Sequence, residues 1–472
     1  MTATANDDRD TSEIVIRSID SSLDLLRLHE LNPGRYPHLL QSVTPGPHAR
    51  YDILFAFPED TLSLAADGSL CGGEGGVTDF LSALDARWRR EACAQHPPQI
   101  SPDAHLPFHG GWFLYLGYEL AGQIEPRLRL PASPAANPIA LATRFRTALI
   151  RDHQDHALWL VTEAGTEDHL DSVMRDVAQV EAIPETVSMD IPAAEFTEDD
   201  PERYLAMVRR TLAYIRDGDI FQANLARTWT ARFAQTVDPS TLYRRLRTRN
   251  PGPFNGLATW PGHAVISSSP ERLVRVRGGV IDTRPIAGTR PRGQGADADA
   301  ALSRELLAHP KERAEHIMLI DLERNDLGRV CVPGTVRVDE LMVLESYAHV
   351  HHIVSNVRGE LRDDITPGAV IRALFPGGTI TGCPKVRCME IIAELEGSGP
   401  IGRGRGAYTG AMGYLNRNGD LDLNILIRTL EQHGEVVELR AGAGIVADSD
   451  PERELAETRA KARGLLLALG AD

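Results

Sequence analysis

Residues 410–446 read GAMGYLNRNGDLDLNILIRTLEQHGEVVELRAGAGIV. Three apolar runs, GAMGYL, LDLNILIRTL and VVELRAGAGIV, are separated by breaks rich in Asn, Asp and Gly. That is the pattern of consecutive strands joined by tight turns. YDILFAF (51–57), HALWLVTEA (156–164) and HAVISSSP (263–270) extend it. Strands that run in groups, with few strand–helix–strand alternations, predict an α+β fold on antiparallel sheets rather than a doubly wound one.

The helices announce themselves by their caps. In DPERYLAMVRRTLAYIRDGD (200–219), Asp200 is placed as N-cap and Pro201 at the first helical position, with Tyr204, Leu205, Val208, Leu212 and Ile215 at helical spacing. DSDPERELAETRAKARGLLLAL (448–469) repeats the device with Asp450 and Pro451. PKVRCMEIIAELEG (384–397) predicts a third helix stopped at Gly397, and DFLSALDARWRREA (79–92) a fourth. Residues 1–12 read as a disordered tail and 13–182 as an N-terminal region. The acidic, Pro-containing 183–200 reads as a linker, and 201–468 as the chemical half. At 472 residues, two or three domains or one interleaved core all fit.

A formal charge of −16 argues against a nucleic-acid backbone or an anionic membrane as partner. Five cysteines with no CxxC pair point to free thiols in a reducing compartment. Without an apolar leader or a run of about 18 apolar residues, a cytoplasmic chain is expected.

Several stretches suit chemistry, each beside a plainer reading. Glu454, Glu457 and Lys461 share one helix face, either a solvated charged face or part of a site. Should the distant Glu315 join them, the set suits Mg²⁺, a hard cation that shares its shell with water and an anionic substrate. FPGGTITGCPK (375–385) is a glycine-rich turn before a helix, but it fails the P-loop pattern. AGAGIV (441–446) reads as a second glycine-rich turn offering backbone donors. Arg428, in a strand-like apolar run, needs a partner, either a buried carboxylate or a substrate carboxylate that Tyr408 would also grip. His352 is either a core histidine or a base, and Glu271 becomes a general acid if apolar neighbours raise its pKa. DTRPIAGTRPRG (282–293) carries three arginines and two glycines around Ala287, as if to hold an anion.

Taken in order, SPER, RPIAGTRPRG, KERAEHIMLIDLERNDLGRV, HHIVSNVRG, FPGGTITGCPK, RGAYTGAMGY, IRT, AGAGIV and DPERELAET…K resemble the chorismate-utilising enzymes over about residues 200–465. That family includes the large subunits of anthranilate synthase and aminodeoxychorismate synthase. The resemblance implies the anthranilate synthase component I-like fold, large antiparallel sheets packed as a sandwich with helices outside. It also implies that Glu315 and Glu454 bind Mg²⁺ with Glu457 nearby, and that the metal holds the ring carboxylate of chorismate. Tyr408 and Arg428 would grip the enolpyruvyl carboxylate, and Gly442, Ala443, Gly444 and Lys461 would support anion binding. Thr379 and His352 would face the ring, while Glu271 would protonate the departing hydroxyl. A separate glutamine amidotransferase subunit would supply ammonia, docking over its entry, and tryptophan is a candidate ligand of the N-terminal region.

Two positions bear on the reaction. Relatives that add water resemble one another in a lysine base where this chain has Gln222, and an amide cannot deprotonate water. Ala287 in PIAGT resembles anthranilate synthases, whereas many aminodeoxychorismate synthases carry lysine there. FQANL with Asn224, GGTITGCPK, and the N-terminal NPGRYPHLLQSV, RYDILFAF and GGWFLYLGYELA look like the aminodeoxychorismate synthase branch. The expectation is therefore amination of chorismate toward 4-aminobenzoate and folate. Anthranilate formation is the alternative, and a non-catalytic Mg²⁺- or amino-acid-binding regulator a minor one.

Overall fold

Alternation along single strands sorts this chain into layers. In Tyr51–Ala56, Ile53 and Phe55 face one way while Leu54 and Ala56 face the other. In Gly111–Leu116, Phe113 and Tyr115 face the same inner layer as Ile53 and Phe55, and Trp112, Leu114 and Leu116 face outward. The inner layer is thus shared by two sheets. One outer layer is closed by helices Glu167–Ala182, Pro239–Arg249 and Pro451–Ala468. The other is closed by Phe80–Glu91, Pro310–Gly328 and Pro367–Leu374. The result is a helix–sheet–sheet–helix sandwich, an α+β fold.

The computed structural model describes residues 14–44, 50–73, 76–93, 99–101, 104–133, 137–184, 189–291, 295, 304, 310–346, 350–397 and 403–471. The stretch 1–12, read as a tail, lies outside them. Among the described residues the sheets have 12 and 11 strands, with a two-stranded pair beside them, and every pairing is antiparallel. Both large sheets take strands from before and after 183–200. Within that stretch, Ala194–Glu198 is itself a strand paired with Gln222–Phe233. None of the described helices is long and apolar enough to cross a membrane.

The capped helices form as expected. The Asp200 side chain accepts from the Glu202 N–H at the head of Pro201–Arg216, and Asp450 accepts from the Arg453 N–H at the head of Pro451–Ala468. Two sequence expectations need correcting. ILIRTL is not one strand: Leu421–Ile425 belongs to one sheet and Thr429–His433 to the other. The crossing turns at Arg428, whose φ of 52° is left-handed. AGAGIV, read both as the end of the strand-like run VVELRAGAGIV and as a glycine-rich turn, is the end of strand Val436–Ile445, where Gly442 and Gly444 pair with Ala226 and Asn224.

Candidate active site

The chain crosses between sheets at two corners, Ser269 to Arg272 and Ile425 to Thr429, and the corners are stitched together. The Ser268 N–H donates to the Arg428 carbonyl at 3.1 Å, and the Ile425 N–H to the Glu271 carbonyl at 3.0 Å. The Ser269 hydroxyl also donates to the Ile425 carbonyl at 2.5 Å. Glu271 and Arg428, 157 positions apart by numbering (428 − 271), therefore meet at one end of the sandwich.

Glu271 is 5% exposed, and burial pushes its carboxyl up to about 7. The Thr379 hydroxyl, the Ile286 backbone N–H and the charges of Lys461 and Arg428 all pull the other way. The Thr379 hydroxyl approaches the carboxyl without reaching full hydrogen-bond geometry, so its Oγ1 is left without a hydrogen-bond partner. An acid that holds its proton near neutrality beside two cations is equipped to protonate a leaving group.

Arg428 is half-buried, and burial pulls its pKa down while the Glu271 charge pushes it up. A left-handed conformation is uncommon outside glycine, and such outliers concentrate at functional positions. Thr409, beside Tyr408, shares it with a φ of 63°. Burial pushes the Tyr408 phenol up to about 12, so it stays a neutral donor. The Arg405 guanidinium sits 5.5 Å from the Tyr408 ring and is itself fixed by Glu396 at 2.6 Å and by the Asn224 carbonyl at 2.7 Å.

The glycines of AGAGIV allow close approach. A Cβ on Gly442 would lie 2.8 Å from the Tyr408 hydroxyl and 2.7 Å from Asn224 Oδ1, and one on Gly444 would lie 2.6 Å from Gln222 Nε2. Ala443 is buried opposite Leu225. Lys461 Nζ donates to the Gly442 carbonyl at 3.0 Å and pairs with Glu457 at 2.7 Å, the helical salt bridge of the plainer reading. Gln222 Oε1 and Asn224 Oδ1 are buried without a hydrogen-bond partner, as acceptors awaiting a ligand would be.

FPGGTITGCPK forms no phosphate cradle. Gly378–Ile380 is a 3₁₀ turn, Gly382 and Cys383 pair with Ala223 and Gln222, and Lys385 is held by Asp326 at 2.5 Å. In DTRPIAGTRPRG, Arg284 is taken up by Glu340 at 2.7 Å and Glu345 at 2.5 Å, so it is a structural residue rather than an anion holder. The backbone of Ala287 is opposite Ile353, next to the Ile286 amide that supports Glu271; its side chain lies outside the described residues. His352 is 3% exposed, one strand over, opposite Thr289 and Glu345.

The metal candidates come from two sides. Glu315 is half-buried on Pro310–Gly328, which packs on the strands of Ala287 and His352. Glu454 is buried and Glu457 exposed in the first turns of Pro451–Ala468, and both charges help hold up the pKa of the buried Tyr204 phenol, whose leading cause is burial. Among the described residues no group of three or more His, Cys, Asp or Glu side chains is placed to hold a metal ion.

Sequence reasoning missed Glu323. It is buried within electrostatic reach of Glu271, and burial, then the charge of Asp326, pushes its carboxyl up. The available signal was Glu323 and Asp326 at i, i+3 in MLIDLERNDL, a stretch in which polar and apolar residues are mixed. A separate cavity of about 270 Å³ opens between the sheets, lined by Leu40, Ser42, Tyr51, Phe254, Met412 and Tyr414.

Comparison places these features among known proteins. A family profile described as chorismate binding enzyme matches residues 42–467. The chain is 48% identical over 369 residues to an anthranilate synthase component I-like protein of Synechocystis sp., covering 77% of this chain and 74% of that one. It is 42% identical over 373 residues to aminodeoxychorismate synthase component 1 of Bacillus subtilis, covering 77% of each. The crystal structure of anthranilate synthase component I from Streptococcus pneumoniae superposes with a TM-score of 0.77 at 32% identity, covering 89% of this chain and 93% of that one.

Proposed function

We propose, from the premise that this chain belongs to the chorismate-binding enzymes, that it aminates chorismate to 4-amino-4-deoxychorismate, on the way to 4-aminobenzoate and folate. The observation that carries this reading is a contact between two motifs. FQANL and GGTITGCPK, the stretches that resemble the aminodeoxychorismate synthase branch, pair through Gln222 with Cys383 and Ala223 with Gly382. The Asn224 N–H also donates to the Thr381 carbonyl at 2.9 Å. They form one wall beside Gly442, Gly444 and Tyr408.

In this reading Arg428 and Tyr408 hold the enolpyruvyl carboxylate, with Lys461 and the strand of Gly442, Ala443 and Gly444 behind them. Glu271 protonates the C4 hydroxyl as it leaves as water, while Thr379 and His352 face the ring. Gln222, an amide, activates no water, so ammonia with its own lone pair is the nucleophile. With alanine at 287, either ammonia is itself the transient C2 nucleophile or C4 is aminated with no covalent enzyme intermediate. Fixing a dianion so that leaving group and nucleophile align is the main contribution of the protein. Mg²⁺ held by Glu315 and Glu454, with Glu457 close by, would neutralise the ring carboxylate. Ammonia would come from a partner glutamine amidotransferase.

The rival reading, anthranilate formation, draws on Ala287 and on the Streptococcus pneumoniae likeness. The cavity between the sheets, with an aromatic and aliphatic wall and Arg50, Arg275 and Asp422 at its lining, suits tryptophan as a structural or regulatory ligand. Separating the products formed from chorismate, Mg²⁺ and ammonium tests the reading.

A further inference from the structure

Glu323 is unused by the chemistry above, yet it is buried beside the turn that carries Thr379. It lies on Pro310–Gly328 against the 3₁₀ turn Gly378–Ile380, where a Cβ on Gly378 would stand 3.2 Å from its Oε1. The next residue of that turn, Thr379, is the one that approaches Glu271. On another side is Thr283, whose hydroxyl donates to the Leu273 carbonyl at 3.0 Å and pulls the Glu323 carboxyl down against the effect of burial. One turn farther along the helix is Asp326, 4% exposed and held by Lys385 Nζ, which also donates to the Leu374 carbonyl at 3.1 Å. Asp326 and Lys385 line a groove of about 880 Å³ that also borders Phe221, 68% exposed. Among the described residues the charges that act on Glu323 are those of Asp326, Lys385 and Glu271.

We propose that Glu323 is a proton relay for Glu271, carrying protons inward from the groove by way of the Asp326–Lys385 pair. This rests on the reading of Glu271 as the acid that protonates the leaving hydroxyl. The Glu271 proton departs in the water formed, and the O–H bond of Glu323 breaks as its proton passes to the Glu271 carboxylate. Glu323 regains a proton from solvent water or ammonium in the groove. The proton shed by the newly bound nitrogen returns to solvent, so the turnover leaves the proton count unchanged. Because Glu323 acts through Glu271, it is a positioning and supply residue.

The test compares the full chain with Glu323→Gln and Glu323→Asp, following chorismate consumption with free ammonium so that product identity does not enter. Glu323→Gln should fold with an unchanged thermal midpoint within a few degrees and keep its KM for chorismate. It should lose about ten-fold or more in kcat at pH 8 and less at pH 6, where hydronium is more abundant. Added imidazole, a small proton carrier, should restore kcat in proportion to its concentration, and Glu323→Asp should retain most of the rate. A Glu323→Gln variant with the parental rate and pH profile overturns the relay. So does one whose loss is equal at every pH and indifferent to imidazole, or one that fails to fold while Glu323→Asp shows that equal loss. A parent that consumes no chorismate overturns the functional reading and the relay with it.

Discussion

The hydroxyl of Tyr408 lies 2.8 Å from the point that a Cβ on Gly442 would occupy. The same Cβ would stand 2.5 Å from the Leu225 carbonyl of the paired strand and 2.7 Å from Asn224 Oδ1, so the wall beside Tyr408 must shift, and Tyr408 has little room, with Arg405 against its ring. Gly442→Ala should therefore raise KM for chorismate about ten-fold, equivalent to roughly 1.4 kcal/mol of lost binding. The fall in kcat should be smaller. Calorimetric titration of chorismate into both proteins checks this, and equal affinities would remove Tyr408 from the substrate clamp.

Glu271 ties rate to pH. Its carboxyl titrates at about 7 against an ordinary 4.5, so the proton it must donate is lost as pH rises through about 7, and kcat/KM should fall over that range. Glu271→Gln should lower kcat by about 10² to 10⁴. Stability should move the opposite way. A carboxyl whose folded pKa is raised contributes fully below about 4.5 and loses that contribution as pH climbs toward 7. Glu271→Gln should thus match the parent near pH 4.5 and exceed it at pH 8 by on the order of 3 kcal/mol. Denaturant unfolding at the two pH values measures the difference; no change with pH would mean that Glu271 is solvated in the folded protein.

Glu454 gives the metal proposal a readout apart from turnover. Chorismate should bind in calorimetry only with Mg²⁺ present, and chelation should abolish the heat. Glu454→Gln should weaken Mg²⁺-dependent binding by about ten-fold or more. Equal chorismate affinity with and without the cation would refute a metal at this position.

Ala287 separates two routes to the product. If ammonia takes the place of an enzyme nucleophile at C2, Ala287→Lys should form a covalent adduct with substrate that mass spectrometry of the intact chain detects. A lysine variant that traps no adduct and makes the same product speaks against addition at C2.

The caps show where sequence suffices. Asp200 and Asp450 act within three residues of themselves, so local chemistry alone places both helices. ILIRTL shows where it does not. Residues on either side of Arg428 are equally suited to a strand, and the left-handed turn that sends them to different sheets falls on an arginine rather than the glycine that would have marked it. Gly442 and Gly444 misled in the opposite sense, serving close packing against Tyr408, Asn224 and Gln222 instead of a turn. The nearness of Glu271 to Arg428, Lys461 and Thr379 was legible only through family resemblance, because it depends on two inter-sheet crossings that no spacing encodes. Glu323 had no such help, since its role comes from what the fold sets beside it.

Product identity bears most directly on the central claim. The purified chain, given chorismate, Mg²⁺ and ammonium, should consume chorismate without the fluorescence of anthranilate, and 4-aminobenzoate should appear only after an aminodeoxychorismate lyase is added. Immediate anthranilate fluorescence with equimolar pyruvate, and no 4-aminobenzoate after the lyase, would contradict it.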